Sequence, residues 1–296
     1  MTGSSLTQDG FSSSYTSEGL RSTRESKLAY WGVALGLQAV DGLKPSPKLL
    51  ELVDRNVKGE LDYNEIPELL RAYYDKAPGA ELTHRQAEAD FASARINELY
   101  QKPGFDLSVE ALKDYHRHIF QDTLPDAGEY KQTELWKKEP VLFGDTVDYL
   151  PPSAAQRMLQ EALNTERETG WNDSAPASVV ERIGSLTKKL WFVHPFSEGN
   201  TRTVATFVGK YLDSLGYNVG NDTFKAHSLY YRNALVRACY INLPKGIKPE
   251  QLYLTRFYEN LLYNAQHVLR NRDLFVLELA PDEQKQRIEA LKAESI

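Results

Sequence analysis

The sequence has 296 residues, of which 41% are hydrophobic, so it can bury one large core or two modest ones. Its formal net charge of −6 gives no electrostatic basis for holding a phosphate backbone, and we expect no nucleic-acid partner. The single cysteine, Cys239, excludes a disulfide within the chain and favours a reducing compartment, so we expect a cytoplasmic location.

The start of the chain shows no targeting segment. Its first twenty residues are rich in Ser, Thr and Gly and contain no apolar run, unlike a Sec-type signal peptide or a membrane anchor. No later stretch reaches the roughly 18 apolar residues of a transmembrane helix. We therefore expect a soluble protein with no membrane partner, and leave export by a route that reads other signals open.

Residues 1–24 have the composition of a disordered polar arm. Residues 25–77 predict a small unit of three helices, the first of which ends at Gly42 and Pro45. Ser46 is typical of the N-cap that opens the second helix, and Asp62 of the cap that opens the third.

Residues 83–271 predict a second, larger helical domain, and residues 272–296 a C-terminal extension. Apolar periodicity predicts helices at 83–100, 108–120, 152–168, 176–193, 200–215, 226–240 and 248–271. The exception is the segment at about 129–150, where β-branched and aromatic residues surround the pair Gly144-Asp145 and predict a β-hairpin. The fold class is therefore mainly α with one small hairpin.

The loop HPFSEGNTR, residues 194–202, lies between two predicted helices and concentrates chemically active side chains. A helix that begins near Asn200 would direct free N–H groups at an anion, and Gly199 permits the tight turn before it. Arg202 can add a bidentate contact to phosphate, and Glu198 offers a hard oxygen ligand for Mg²⁺. His194 has an ordinary pKa near neutrality, which suits a general base.

With Pro195 and Phe196, these residues resemble the signature of the Fic family, HPFx(D/E)GNGRxxR. The resemblance covers residues 83 to about 265 and implies a Fic-type helical bundle with a hairpin flap. The usual reaction of that family is transfer of AMP from ATP to a Tyr, Ser or Thr hydroxyl of a target protein. ATP as co-substrate, Mg²⁺ as cofactor and a target protein as partner are therefore implied, and a homo-oligomer is compatible with the family.

The resemblance also implies roles for single residues. His194 would deprotonate the target hydroxyl, Phe196 would anchor the loop, and Glu198 would hold Mg²⁺. Nucleotide binding would fall to Gly199, Asn200, Thr201 and Arg202. The flap that docks the target would be residues 139–150, with Leu142, Phe143, Gly144 and Asp145 at its turn.

Two motif positions depart from the family pattern. Thr201 stands where a second glycine is usual, and Ala205 where a second arginine is usual. The related Doc proteins, which have Lys at the first of these positions, transfer phosphate instead of AMP. Phosphoryl transfer, transfer of another nucleotide and a catalytically weak binding module therefore stay open as alternatives. Arg232 and Arg237 are hypothesised to supply the missing cation at the nucleotide.

Residues 25–77 in turn resemble VbhA-like antitoxin domains, which inhibit Fic partners through an (S/T)xxxE(G/N) helix. This implies a regulatory unit of toxin–antitoxin origin fused to the enzyme. Asp41 and Gly42 fall at the Glu and Gly positions of the inhibitory motif, and Leu37 at the Ser/Thr position. Without an arginine at position 205, we expect the usual arginine clamp not to operate. A second, literal match at Ser14, Glu18 and Gly19 falls in the polar arm.

Overall fold

The computed structural model describes residues 23–76, 81–171 and 175–293, and the fold of these residues is mainly helical. The α-helices are α1 Arg24–Gly36, α2 Pro47–Val57, α3 Ile66–Tyr74, α4 Glu81–Gln101, α5 Val109–Phe120, α6 Pro152–Glu168, α7 Pro176–Val193, α8 Asn200–Ser214, α9 Asp222–Cys239, α10 Leu252–Tyr263 and α11 Asp282–Ala293. Most of the polar arm predicted for residues 1–24 lies outside the described residues, including Ser14, Glu18 and Gly19.

Helix α8 forms the centre of the core. Every residue from Asn200 to Leu212 is buried, and α8 packs against α5 on one side and α7 on another. Helices α6 and α10 pack on α7, while α9 contacts both α7 and α10. The N-terminal end of α8 is thus enclosed by several elements, and the loop before it is held within the fold.

The three helices predicted for residues 25–77 are present as α1, α2 and α3. Ser46 is the N-cap of α2, because its Oγ accepts from Leu49 N at 3.1 Å, and Pro47 is the first helical residue. The first helix is shorter than expected: α1 ends at Gly36, and residues Leu37–Asp41 continue as a 3₁₀ helix that Gly42 ends at φ 66°. This short 3₁₀ helix packs against α8, α9 and α4.

The N-terminal unit is fixed closely to the rest of the described fold. A Cβ at Gly36 would lie 2.5 Å from Lys225 Cα, so α1 crosses α9 with their backbones in contact. On α4, the buried Asp90 accepts from Ser46 N at 2.8 Å and from Tyr74 Oη at 2.7 Å. Burial raises the pKa of this carboxyl group. One side chain thus joins the start of α2 and the end of α3 to α4.

The hairpin predicted for residues 129–150, all of which the structure describes, is not formed as a pair of β-strands. Pro140–Leu142 is instead a 3₁₀ turn, after which Phe143 and Gly144 adopt positive φ. Glu139 N donates to Asp145 O at 2.9 Å, but Lys137 N donates to the Thr146 hydroxyl at 3.2 Å. A proline and a side-chain acceptor therefore replace the regular backbone ladder. We call residues 129–150 the flap segment.

The last long helix predicted by periodicity, 248–271, is also shorter in the structure. Helix α10 begins at Leu252 and ends at Tyr263, where Asn264 takes a left-handed conformation at φ 54°. The Asn260 side chain accepts from His267 N at 2.7 Å and donates to His267 O at 2.8 Å, which turns the chain away from the helix axis. Within the described ranges, no helix is both long and apolar enough to span a membrane.

Candidate active site

The loop between α7 and α8 is shaped by two residues with positive φ. His194 ends α7 at φ 47°, with its N–H donating to Trp191 O at 3.1 Å. Gly199 precedes α8 at φ 70°, and a Cβ there would lie 2.3 Å from the Phe120 ring. Both the backbone angle and the space therefore require glycine. Helix α8 begins directly afterwards, and its first amides have no partner within the helix.

His194 is buried, with its ring held on several sides. The Tyr149 ring lies 3.9 Å from it between centroids, and the Trp191 ring meets it edge-on at 5.3 Å. Nδ1 lies 3.2 Å from Trp191 O, so this nitrogen carries the proton, whereas Nε2 is buried without a hydrogen-bond partner. Burial holds the pKa of His194 well below its ordinary value, and the charge of Lys137 lowers it further. The imidazole is therefore neutral at pH 7 with a free lone pair on Nε2.

A second histidine, His116 of α5, supports the loop through contacts with Phe196 and Glu198. Its ring stacks on the buried Phe196 ring with centroids 3.8 Å apart and planes 9° apart. His116 Nδ1 accepts from Gly128 N at 2.7 Å, so Nε2 carries the proton and donates to Glu198 O at 3.1 Å. Burial lowers the pKa of His116 to about 4. Phe196 is thus anchored in the core by a neutral histidine.

The side chains of Asn200 and Thr201 turn inward. Asn200 Oδ1 accepts from Phe196 N at 2.9 Å, and Nδ2 donates to Phe196 O at 2.7 Å. Thr201 Oγ1 accepts from Trp191 Nε1 at 2.9 Å. Both residues are buried. Any contact that they make with a nucleotide would therefore come from the backbone at the start of α8.

Arg202 is held by two carboxylates from outside the loop. Its Nη2 donates to Glu88 Oε1 on α4 at 2.6 Å, and its Nε lies 2.9 Å from Asp41 Oδ2 without the alignment of a hydrogen bond. Gln38 Oε1 accepts from Nη1 at 3.2 Å, and the guanidinium lies over the Phe120 ring. Asp41 thus does contact an arginine of the motif, although that arginine is Arg202 and position 205 is a buried alanine.

A cavity of about 540 Å³ opens beside this arginine. It is bounded by the 3₁₀ helix Leu37–Asp41, the flap segment, α9 and the start of α8. The charged residues that line it are Asp41, Arg85, Glu88, Lys138, Glu198, Arg202 and Arg232. Glu198 has a side chain 58% exposed and an ion pair with Lys137 at 3.3 Å. The cavity therefore combines cations that could hold phosphates with a carboxylate that could hold a cation.

The two arginines of α9 have different surroundings. Arg232 lines the cavity, but it is paired with the fully buried Glu139 through contacts of 2.6 and 3.2 Å. Arg237 donates to Leu274 O at 3.0 Å and lies over the Tyr253 ring, and it is not among the cavity's lining residues. Of the two candidates for an additional phosphate cation, Arg232 alone faces the cavity.

The turn of the flap segment is tied to the core. Leu142 is buried, and the Phe143 ring packs 5.5 Å from the Phe275 ring. Asp145 accepts from Tyr240 Oη at 2.6 Å. Gly144 has φ 93° and, within the described fold, no atom close to the position of a Cβ. The turn residues therefore fix the segment in place, and the part left exposed lies earlier, where Trp136 is 64% exposed.

Sequence reasoning did not single out four residues that contact the predicted site: Glu88, His116, Glu139 and Tyr149. They come from α4, α5 and the flap segment, far from the loop along the chain. Glu139 and Tyr149 lie within the predicted flap, but the sequence predicts no contact between them and the loop. A buried position for a charged or histidine side chain becomes visible only after the helices are packed. Their contacts therefore depend on tertiary structure.

Residues 106–212 match the model of the Fic/DOC family. Two solved structures are similar to the chain. One is the BepC protein of Bartonella tribocorum, a VirB-translocated effector protein with bound AMPPNP, at 17% identity over 69% of this chain and 90% of that one, with a TM-score of 0.41. The other is a Fic-domain-containing signaling protein from Bacteroides thetaiotaomicron, at 16% identity over 87% of this chain and 96% of that one, with a TM-score of 0.47.

No curated protein matches the sequence. The family match begins just before α5 and runs through the flap segment, α6 and α7 into α8. It includes the loop His194–Arg202 together with His116, Glu139 and Tyr149. The part of the chain that is similar to the Fic/DOC family, residues 106–212, therefore contains the candidate site.

Proposed function

We propose that this protein transfers AMP from Mg²⁺-bound ATP to a Tyr, Ser or Thr hydroxyl of a target protein, with His194 as the general base. Fic domain proteins commonly transfer AMP or other nucleotidyl groups to proteins. The observation that carries the proposal is the state of His194, whose Nδ1 is tied to Trp191 O while Nε2 is buried, neutral and without a partner. Of the two ring nitrogens, Nε2 is thus the one that makes no structural hydrogen bond and can accept a proton.

In this reaction the target oxygen forms a bond to the α-phosphorus, and the bond from that phosphorus to the α–β bridging oxygen breaks. Pyrophosphate leaves with the electron pair of the broken bond. The hydroxyl proton passes to His194 Nε2, which can accept it because the imidazole starts neutral. Free amides at the start of α8 and the guanidinium of Arg202 offer donors to the phosphates.

Glu198 is the residue that would hold Mg²⁺. Its carboxylate faces the cavity, and its ion pair with Lys137 is long at 3.3 Å and largely exposed. Among the residues that the structure describes, no group of three or more His, Cys, Asp and Glu side chains is arranged as a metal site. One carboxylate with phosphate oxygens and water fits the way Mg²⁺ binds nucleotides, where it neutralises charge on the leaving group.

The N-terminal unit is proposed to restrain the reaction, as its resemblance to VbhA-like domains implies. Asp41 and Glu88 form ion pairs with the guanidinium of Arg202, which would otherwise be available to the phosphates. A nucleotide must therefore compete with two carboxylates for Arg202, and any event that withdraws the 3₁₀ helix Leu37–Asp41 removes one of them. The clamp proposed here acts on Arg202 and needs no arginine at position 205.

The flap segment is proposed to dock the target protein. Its arms, residues 129–138 and 146–150, form neither helix nor strand and carry few backbone hydrogen bonds to each other, so backbone groups are available to pair with an added strand. The exposed Trp136 offers a large apolar contact beside them. A target segment that is itself extended and presents a hydroxyl residue fits these features.

A transfer assay with labelled triphosphates tests the proposal. Purified full-length protein is incubated with Mg²⁺, candidate target extracts and ATP labelled at either the α or the γ position. We expect α label to enter protein with the wild type and to be lost by at least about a hundredfold in His194→Ala, the range for loss of a general base.

The alternatives give different results in the same assay. Label from the γ position alone identifies phosphoryl transfer, and label from a different nucleoside triphosphate identifies another donor. Partner binding with no label in any reaction identifies a binding module. Transfer that persists unchanged in His194→Ala would remove His194 as the base.

A further inference from the structure

Beyond the base itself, a line of buried and half-buried side chains connects His194 to α9. Tyr149 lies on the His194 ring, its hydroxyl donates to Glu139 Oε1 at 3.2 Å, and Glu139 pairs with Arg232. We propose that Tyr149 is a positioning residue for His194, fixed over the imidazole by Glu139 and Arg232. This inference rests on the proposed function of His194 as the base.

Trp191 and Tyr149 set the orientation of the imidazole. The Trp191 carbonyl lies 3.2 Å from Nδ1, and the Trp191 ring meets the imidazole at nearly a right angle. Neither contact is a stacked ring. The Tyr149 ring lies 3.9 Å from the imidazole between centroids, at a tilt of 31°. Removing that ring would leave the imidazole free to rock about its hydrogen bond, and proton transfer depends strongly on alignment.

Glu139 and Arg232 hold Tyr149 in place. Its phenol would otherwise be a buried polar group at the base of the flap segment, and burial raises the pKa of that phenol. Glu139 accepts its hydrogen bond and is held by two contacts to Arg232. Since an unpaired buried carboxylate is unfavourable by several kcal/mol, the pair resists separation. Arg232 thus acts on the site through Glu139 and Tyr149.

Neighbouring cations and the exclusion of water keep His194 neutral. The cations that act on it are Lys131 and Lys137 of the flap segment and Arg232 of α9, and all three oppose protonation. Glu198 and Glu139 are each paired with one of these cations, while α7 contributes the Trp191 carbonyl. Tyr149 adds the exclusion of water, which favours the neutral imidazole. Loss of its ring should therefore raise the pKa of His194.

The experiment follows the titration of His194 by NMR in histidine-labelled full-length protein, with its signal assigned by its loss in His194→Ala. The wild-type imidazole is expected to stay neutral throughout the neutral range. In Tyr149→Leu we expect the midpoint to move up by at least about one pH unit, toward the ordinary value of about 6.5. Tyr217→Leu, which removes a half-buried tyrosine beside Trp171, should leave it unchanged.

Kinetics give the second readout. We expect kcat of Tyr149→Leu to fall by about tenfold with KM for ATP within about twofold, the pattern of a lost transition-state contribution. Tyr149→Phe keeps the ring but loses the bond to Glu139, and Glu139→Gln keeps the shape but weakens the pair with Arg232. Both should lower kcat by about threefold, and they decide the matter if Tyr149→Leu does not fold.

An unchanged His194 titration in folded Tyr149→Leu, or an unchanged kcat in Tyr149→Phe and Glu139→Gln, overturns the positioning role. If the proposed function is wrong, the wild type transfers no label. The NMR titration of His194 in Tyr149→Leu still tests the contact between Tyr149 and His194 in that case. The two ideas can therefore fail separately.

Discussion

Asn200 holds the loop His194–Arg202 closed through both polar atoms of its amide. Each is bonded to the backbone of Phe196, one as acceptor and one as donor. A side chain that only accepts or only donates can therefore satisfy half of this arrangement. The residue's local role is as a brace, alongside any contact that its backbone makes with phosphate.

We predict that Asn200→Ala lowers the free energy of unfolding by about 2 to 4 kcal/mol, because it leaves a buried N–H and a buried C=O without partners. Asn200→Asp should lose nearly as much, since a carboxylate faces the Phe196 carbonyl. Urea denaturation measures both effects. Asn218→Ala is the matched control, since its exposed amide makes one local bond to Gly220 N. Equal losses in Asn200→Ala and in the control would contradict the brace.

The sequence predicts which residues of the loop belong to the candidate site, but not the directions in which their side chains point. The motif placed His194, Glu198 and Arg202 together, and the structure brings Glu198 and Arg202 to one cavity. The motif does not predict that the side chains of Asn200 and Thr201 turn inward, because their hydrogen bonds to Phe196 and Trp191 form only in the folded loop. Local spacing restricts which residues are neighbours, whereas rotamers depend on packing.

At the scale of elements, the N-terminal unit meets the region that matches the Fic/DOC family model at Arg202. The 3₁₀ helix Leu37–Asp41 reaches this residue because α1 lies directly against α9 and packs on α4. Asp90 and Asp122 reinforce the docking through Ser46 and Arg71 respectively. The contact between Asp41 and Arg202 is therefore supported by a unit that is packed and hydrogen-bonded against α4 and α9.

We predict that Asp41→Ala raises the affinity for ATP by about tenfold, the equivalent of about 1.4 kcal/mol, because one of two carboxylates no longer competes for Arg202. Isothermal titration with a non-hydrolysable ATP analogue measures this change. Glu51→Ala removes a carboxylate of α2 that is paired with Lys48, and it should leave the affinity unchanged. An affinity that stays constant or falls in Asp41→Ala would rule out this form of restraint.

Helix positions were largely predictable from the sequence because apolar periodicity and caps are local signals. The errors occur where another local signal competes. In the flap segment, Pro140 and the Thr146 hydroxyl interrupt a pattern that otherwise favours strands. At the end of α10, Asn260 diverts the chain through its side chain. Side-chain hydrogen bonds to backbone thus changed elements that periodicity alone describes poorly.

At the scale of the whole molecule, the fold keeps two histidines neutral in its interior. His116 stacks on Phe196, and His194 lies between Tyr149 and Trp191. The sequence predicted a base at His194, yet the neutral state of both residues results from burial by several helices. Acid must therefore act on the stability of the whole fold through these buried groups.

We predict that the free energy of unfolding falls as the pH drops from about 6.5 to about 4. Burial lowers the pKa of His116 to about 4 in the folded protein, whereas the unfolded chain has an ordinary value of about 6.5. Between these values the unfolded state binds the additional proton, so acid favours unfolding, by about 3 kcal/mol for this residue. Urea denaturation at a series of pH values measures how steeply the free energy of unfolding depends on pH.

His116→Gln should be less stable at pH 7 but show a shallower dependence on pH. His84→Gln changes an exposed position and should keep the pH dependence of the wild type. If His116→Gln retains the full acid dependence, the neutral histidine beneath the loop is not its source.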